Sequence, residues 1–147
     1  MRTNLTQGNK AMFPRSTKYA VRALTFLAGQ EPGKLRGARE IAQAEQIPMP
    51  FLWKILQKLT ARKLVRSFRG VRGGYQLAKP AQRITIEKVV KAMGGNDLFS
   101  RCLLGYPHCN HKTPCPLHPV WCGTKEGIRE TLRAATLAEL ARRQRTD

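Results

Sequence analysis

Two prolines, Pro48 and Pro50, constrain the fold of this chain more than any other feature of its sequence. Proline lacks a backbone N–H and its ring collides with the preceding turn, so both are tolerated only before a helix or inside its first turn. Upstream, Ala38, Ile41, Ala42 and Glu45 mark a short helix with a mostly apolar stripe. Downstream, Leu52, Ile55, Leu56 and Leu59 recur at helical spacing. The prolines therefore split what would be one long helix into two, with a tight break at Gln46-Ile47-Pro48 and a second helix from about residue 50 to Arg62. Two short helices joined this way suggest a helix-turn-helix.

The flanking segments extend that unit. Residues 1–15 lack apolar periodicity and read as a flexible basic arm, with Met12 an alternative start. Ser16 or Thr17 can cap a helix carrying Ala20, Ala23, Leu24 and Leu27 and ending at Gly29, before a Pro32-Gly33 turn. Leu64–Phe68 and Tyr75–Leu77 read as strands around the loop Arg69-Gly70-Val71-Arg72-Gly73-Gly74, whose glycines permit a tight reversal with arginines at its tip. Ile86, Val89, Val90 and Met93 give one more helix, stopped by Gly94-Gly95, a plausible hinge. The expected fold is mainly α with a small β-hairpin wing: a winged helix-turn-helix over residues 16–95.

Charge points the same way. The 147 residues carry 27 Lys plus Arg against 9 Asp plus Glu, a formal charge of +18. Residues 1–91 hold +15 of it and residues 92–147 only +3. A field of this size attracts polyanions, nucleic acid before an anionic membrane surface. No run approaches the roughly 18 apolar residues of a membrane span, and the N-terminus lacks the apolar core of a signal peptide. A soluble, cytoplasmic, nucleoid-associated protein with no membrane partner is expected.

In the third helix the buried stripe leaves Trp53, Lys54, Gln57 and Lys58 on the opposite face, with Pro50 at its start. Two lysines four apart are usually a solvated face, but their place directly after the helix-turn-helix break favours DNA contact. Trp53 either packs on the first helix or meets thymine methyls or the sugar-phosphate backbone. Arg66, Arg69 and Arg72 either solubilise the hairpin or carry the wing to phosphates or a narrow minor groove. The expected DNA-binding set is Pro50, Trp53, Lys54, Gln57, Lys58, Arg66, Arg69 and Arg72.

All four cysteines lie in the nearly neutral segment. Cys102, Cys109 and Cys115 have the spacing C-x6-C-x5-C, and His118 follows three residues later. The intervening Gly105, Pro107, His108, Asn110 and Pro114 cannot form a regular helix, so residues 96–118 are a loop that needs something to organise it. Three thiolates and an imidazole converging on one point form a complete ligand set for a metal ion or an iron-sulfur cluster. Cys122, one helical turn beyond His118, is an alternative fourth ligand. His108 and His111 read as exposed loop residues. Pro119 suits the first position of the next helix, which places His118 at an anion-favouring helix N-terminus, with Val120 and Trp121 as a shield from water.

The segments TKYAVRAL, REIAQAEQIPMPFLWKILQKL and LVRSFRGVRGGYQLAKP, followed by these cysteines, resemble the Rrf2 family of bacterial winged-helix transcription regulators. The similarity covers about residues 16–143, and the RGxxGGY wing with the cysteine cluster is its specific part. The resemblance implies Cys102, Cys109 and Cys115 as cluster ligands, with His118 matching the fourth ligand of the cluster-assembly branch and its 2Fe-2S cluster. This chain has one residue more between the first two cysteines than that branch, which a loop absorbs. In the nitric-oxide-sensing branch the fourth ligand is an acidic residue whose matching position here is Lys18, a departure that counts against a 4Fe-4S arrangement. Trp53 stands where the cluster-assembly branch has an acidic residue, so its operator does not transfer.

Beyond the loop, Trp121, Ile128, Leu132 and Ala135 form an apolar stripe on a long helix, and Thr136 with Glu139 has capping-box spacing for a last short helix. Residues 119–147 are thus expected to hold a dimerisation helix and a C-terminal helix. Packed on its symmetry mate, the long helix would present two reading helices to a pseudo-palindromic double-stranded DNA operator; alternatively it folds back on its own domain. The sequence thus reads as a homodimeric, DNA-binding transcriptional regulator controlled by an iron-sulfur cluster that senses redox state, iron or nitric oxide. The competing readings are a zinc-stabilised structural nucleic-acid-binding protein and a cluster-free regulator of the same family. No enzyme is expected: no phosphate-cradling glycine loop, paired-carboxylate pocket or Ser-His-Asp spacing stands out.

Overall fold

A computed structural model of the chain describes residues 13–95, 97–106 and 109–146. In chain order its elements are α1 (Arg15–Ala28), α2 (Ala38–Glu45), α3 (Met49–Ala61), β1 (Val65–Phe68), β2 (Gly74–Leu77), α4 (Ile86–Ala92), α5 (Asp97–Ser100), α6 (His118–Ala134) and α7 (Leu137–Gln144), with a single 3-10 turn at Ala81–Arg83. One core joins them: Ala20, Ala23 and Leu24 of α1, Ile41 of α2, Leu52, Leu56 and Leu59 of α3, Val89 and Val90 of α4, and Leu137 of α7.

The proline rule sets the helix-turn-helix. Gln46 ends α2 in the left-handed region at φ 51°, the Ile47 N–H reaches the Ala42 carbonyl at 3.0 Å, and the Ile47 side chain is buried. Pro48 then occupies the N-cap of α3, and Pro50 lies in its first turn. α1 differs from expectation. It starts at Arg15 behind Pro14, and neither Ser16 nor Thr17 caps it; Thr17 is buried within the first turn, its hydroxyl unpaired. Proline's fixed φ supplies the entry geometry, and Phe13, assigned to the basic arm from sequence, packs against the core. The rest of that arm, residues 1–12, lies outside the described residues.

The wing pairs Val65 with Leu77 through Phe68 with Gly74, antiparallel. Its glycines are sterically required at two places. A Cβ on Gly73 would lie 2.1 Å from the Phe68 carbonyl oxygen, and one on Gly74 would lie 2.9 Å from the Arg36 carbonyl oxygen. The second contact exists because Arg36 pairs with Tyr75, exchanging backbone hydrogen bonds of 3.0 and 2.8 Å. The wing therefore has a one-residue third strand that no sequence periodicity signals. α4 opens with Thr85 capping the Lys88 N–H.

α6 is less isolated than its stripe suggested. Leu132 and Ala135 pack against the core, and α6 lies along α4. Glu87 of α4 binds Arg133 of α6 at 2.8 Å and Lys91 at 2.5 Å. Lys91 and Arg133 hold the Glu87 carboxyl below its ordinary range, chiefly through the Lys91 hydrogen bond, against the opposing effect of burial. α7 has the expected capping box, Thr136 with Glu139, and packs on α1.

Candidate nucleic-acid interface and metal centre

α3 sorts its side chains as its period dictates. Leu52, Ile55, Leu56 and Leu59 are buried, and Pro50, Trp53, Lys54, Gln57 and Lys58 are exposed on the other side, Trp53 by 52%. About half of the Trp53 side chain is therefore open to solvent on this face. Arg66, Arg69 and Arg72 are exposed along the hairpin, and Val71 stands fully in solvent at its tip. Sequence reasoning missed Phe51, 49% exposed next to Trp53 with its ring 6.4 Å from that of Tyr19. Its position one residue off the buried stripe was the available signal.

The cysteine segment leaves the domain after Gly95 and comes back as α6. Leu117 is the N-cap, so His118 takes the first helical position and Pro119 the second, one place later than expected. Cys102, Cys109, Cys115 and His118 all line one cleft of about 450 Å³, with Tyr106, Thr113, Pro114 and Pro116. Cys102 and His118 are buried. The Cys102 thiol is held below its ordinary value, first by the Leu104 backbone N–H and further by those of Tyr106 and Gly105 and by the Cys115 thiol, against burial.

The donors of the cleft, with Cys122 beside it, form two groups. Cys102 lies against Cys115. Cys109, His118 and Cys122 form the tighter group, their ligand atoms all within 4.8 Å of one another. The Cys109 sulfur is 3.5 Å from His118 Nδ1, and the Cys122 sulfur is 3.8 Å from the same nitrogen and 3.4 Å from Nε2. Lys125 Nζ donates to the Cys109 sulfur at 3.3 Å and to the Phe99 carbonyl at 3.1 Å.

One expectation gains a partner and another needs correction. His111, read as a bland loop residue, is exposed, yet its Nδ1 lies 3.1 Å from His118 Nε2 with the rings edge to face. The shared loop fold brings them together; sequence spacing does not announce it. Val120, expected to shield the centre, is 74% exposed, because the first turn of α6 points it away from the cleft. Trp121 is half-buried and donates its indole N–H to the Arg101 carbonyl at 3.0 Å. His108 lies outside the described residues, and Lys18 is exposed. Among the described residues no helix is long and apolar enough to cross a membrane.

Known proteins resemble this chain over most of its length. A family model described as Rrf2, iron-dependent transcriptional regulator, matches residues 13–143. An Aquifex aeolicus chain named as an HTH-type transcriptional regulator is 34% identical over 131 residues, covering 88% of this chain and 90% of the relative. The HTH-type transcriptional regulator NsrR of Oceanobacillus iheyensis is 31% identical, covering 87% of this chain and 88% of the relative. Among solved structures, CymR of B. subtilis superposes with a TM-score of 0.76 at 22% identity, over 88% of this chain and 95% of that one. IscR of T. potens superposes at 0.72 with 23% identity, over 90% and 87%. These relatives are regulators rather than enzymes, and the winged fold is theirs. With nearly its whole length matched, the chain belongs to the Rrf2 family of transcriptional regulators.

Proposed function

We propose that the chain binds a pseudo-palindromic DNA operator as a homodimer through α3 and the wing, with affinity set by whether its cysteine cleft holds an iron-sulfur cluster. The observation that carries this reading is the single cleft lined by Cys102, Cys109, Cys115 and His118, in a family described as iron-dependent. The donor set fits: soft thiolates with one imidazole suit iron-sulfur chemistry. The Leu104, Gly105 and Tyr106 amides at Cys102 and the Lys125 ammonium at Cys109 offset the negative charge of such a centre. Three thiolates and one imidazole match a 2Fe-2S site, and Lys18 places no carboxylate where the 4Fe-4S arrangement uses one. When bound, the cluster supplies a redox- and iron-sensitive occupant. The protein's part is to order residues 98–118 around it and shift α6 along α4, which packs on α1 and so on the helix-turn-helix. The occupant must bind the two arrangements unequally for this to work.

The test is anaerobic purification with absorption spectroscopy and iron and sulfide analysis, then operator binding of loaded and cluster-free protein at one salt concentration. Cys102→Ala and His118→Ala are expected to lose iron. Equal affinity and equal sequence preference for both forms would refute the control mechanism. Colourless wild-type protein that still binds its operator would identify a cluster-free regulator.

A further inference from the structure

Cys122 belongs to no part of the ligand set just proposed, yet it sits in the tightest donor group among the described residues. We propose that Cys109, His118 and Cys122 form a mononuclear site for a soft divalent cation of the zinc class, sharing two ligands with the cluster. The two occupants would then exclude each other. The metal site stands on its own three donors; only the mutual exclusion rests on the cluster reading.

The distances fit zinc. With Zn–S near 2.3 Å and Zn–N near 2.0–2.1 Å, the edges of a tetrahedral site are about 3.4–3.8 Å long. His118 Nδ1 lies 3.5 Å from the Cys109 sulfur and 3.8 Å from that of Cys122, and all three ligand atoms lie within 4.8 Å of one another, so a shift of about 1 Å at most closes a centre. Two of the donors are fixed by a regular element, since His118 and Cys122 stand one turn apart at the start of α6. Nδ1 is the ligating nitrogen because Nε2 is engaged by His111 Nδ1 at 3.1 Å. That contact is the outer hydrogen bond that orients a metal-bound imidazole, and it gives His111 a role. Lys125 at 3.3 Å from the Cys109 sulfur supplies a second outer contact. Two thiolates and one imidazole leave the fourth position to an exchangeable solvent molecule. Cys102 and Cys115, paired apart from this group, are not required.

The test uses full-length, cluster-free protein prepared anaerobically and titrated with cobalt(II), then zinc in competition with a chromophoric chelator. One cobalt per chain is expected, with sulfur-to-cobalt charge-transfer absorption and the intense visible bands of a tetrahedral site. Cys102→Ala and Cys115→Ala should keep this spectrum. Cys122→Ser should lose it, and His111→Ala should weaken affinity roughly 10–100-fold. Circular dichroism and thermal unfolding of each variant check that it folds. Absent binding, a spectrum indifferent to Cys122→Ser, or one lost in Cys102→Ala would each overturn the proposal. For exclusion, zinc preloading should block cluster assembly in wild type and not in Cys122→Ser; assembly unaffected in wild type would overturn that part. Wild type that takes cobalt but never iron and sulfide would refute the cluster reading while the zinc site stands.

Discussion

Lys54 and Lys58 lie on the exposed side of α3, whose opposite side is fully spent on the core. Each replaced by alanine should weaken binding to all DNA sequences about equally and reduce the slope of log affinity against log salt by about 1. Trp53→Ala, by contrast, should change which operators are preferred, as read by selection from a random-sequence pool; an unchanged preference would place Trp53 outside the base-reading set. Gly73→Ala should cost about 2 kcal/mol in urea denaturation and loosen the wing, because its Cβ would fall within a covalent-like distance of the Phe68 oxygen. At this scale the sequence was legible where a residue's role depends on its own helix: the α3 stripe follows from period alone. Roles that depend on chain returning from elsewhere were not. Arg36 meets Tyr75 across 39 positions, and His111 meets His118 only once the loop closes.

Among the elements, the α4–α6 contact has a built-in pH dependence. Glu87 is held below its ordinary pKa by Lys91 and Arg133. A depressed carboxylate pKa contributes stability above the unfolded value of 4.5, and that contribution is lost as pH falls through the lower folded value. Acid should therefore loosen α6 below about pH 4.5, and Glu87→Gln should remove the effect at a cost of roughly 1 kcal/mol at pH 7, since both partners are half exposed. Thermal unfolding of both proteins from pH 3 to 7 measures this; parallel curves would refute it. Thr136→Ala should cost about 1 kcal/mol through the α7 cap. The α7 capping box and the Pro48–Pro50 entry to α3 were readable because they are written in a few adjacent residues, whereas the Pro14 entry to α1 was hidden behind the better cap formers Ser16 and Thr17. The lean of α6 on α4 was not, because the stripe of Leu132 and Ala135 suits a second copy of the chain equally well.

For the whole molecule, +15 of the +18 charge lies in residues 1–91, the part that carries α3 and the wing. If about 6 to 10 phosphates are contacted in the proposed complex, affinity should fall by about 10³ to 10⁵ between about 50 and 200 mM salt. A shallow slope would mean that the charge serves solubility instead. The backbone adds a consequence of its own. Ile86 N–H bonds the Ala135 carbonyl, and Leu137 N–H bonds the Ile84 carbonyl, each at 3.0 Å. The chain thus departs at one end of α4 and is sutured back at the other, only about 10 Å of helix away. The segment between them is topologically an insertion whose two ends are tied to α4, and Leu132 and Ala135 at its return pack against the core. Lengthening such a loop by one residue costs little, so its contents can diverge while the DNA-facing frame keeps its shape. One scaffold can accordingly carry different inserts, and α4 is the helix that the returning α6 leans on.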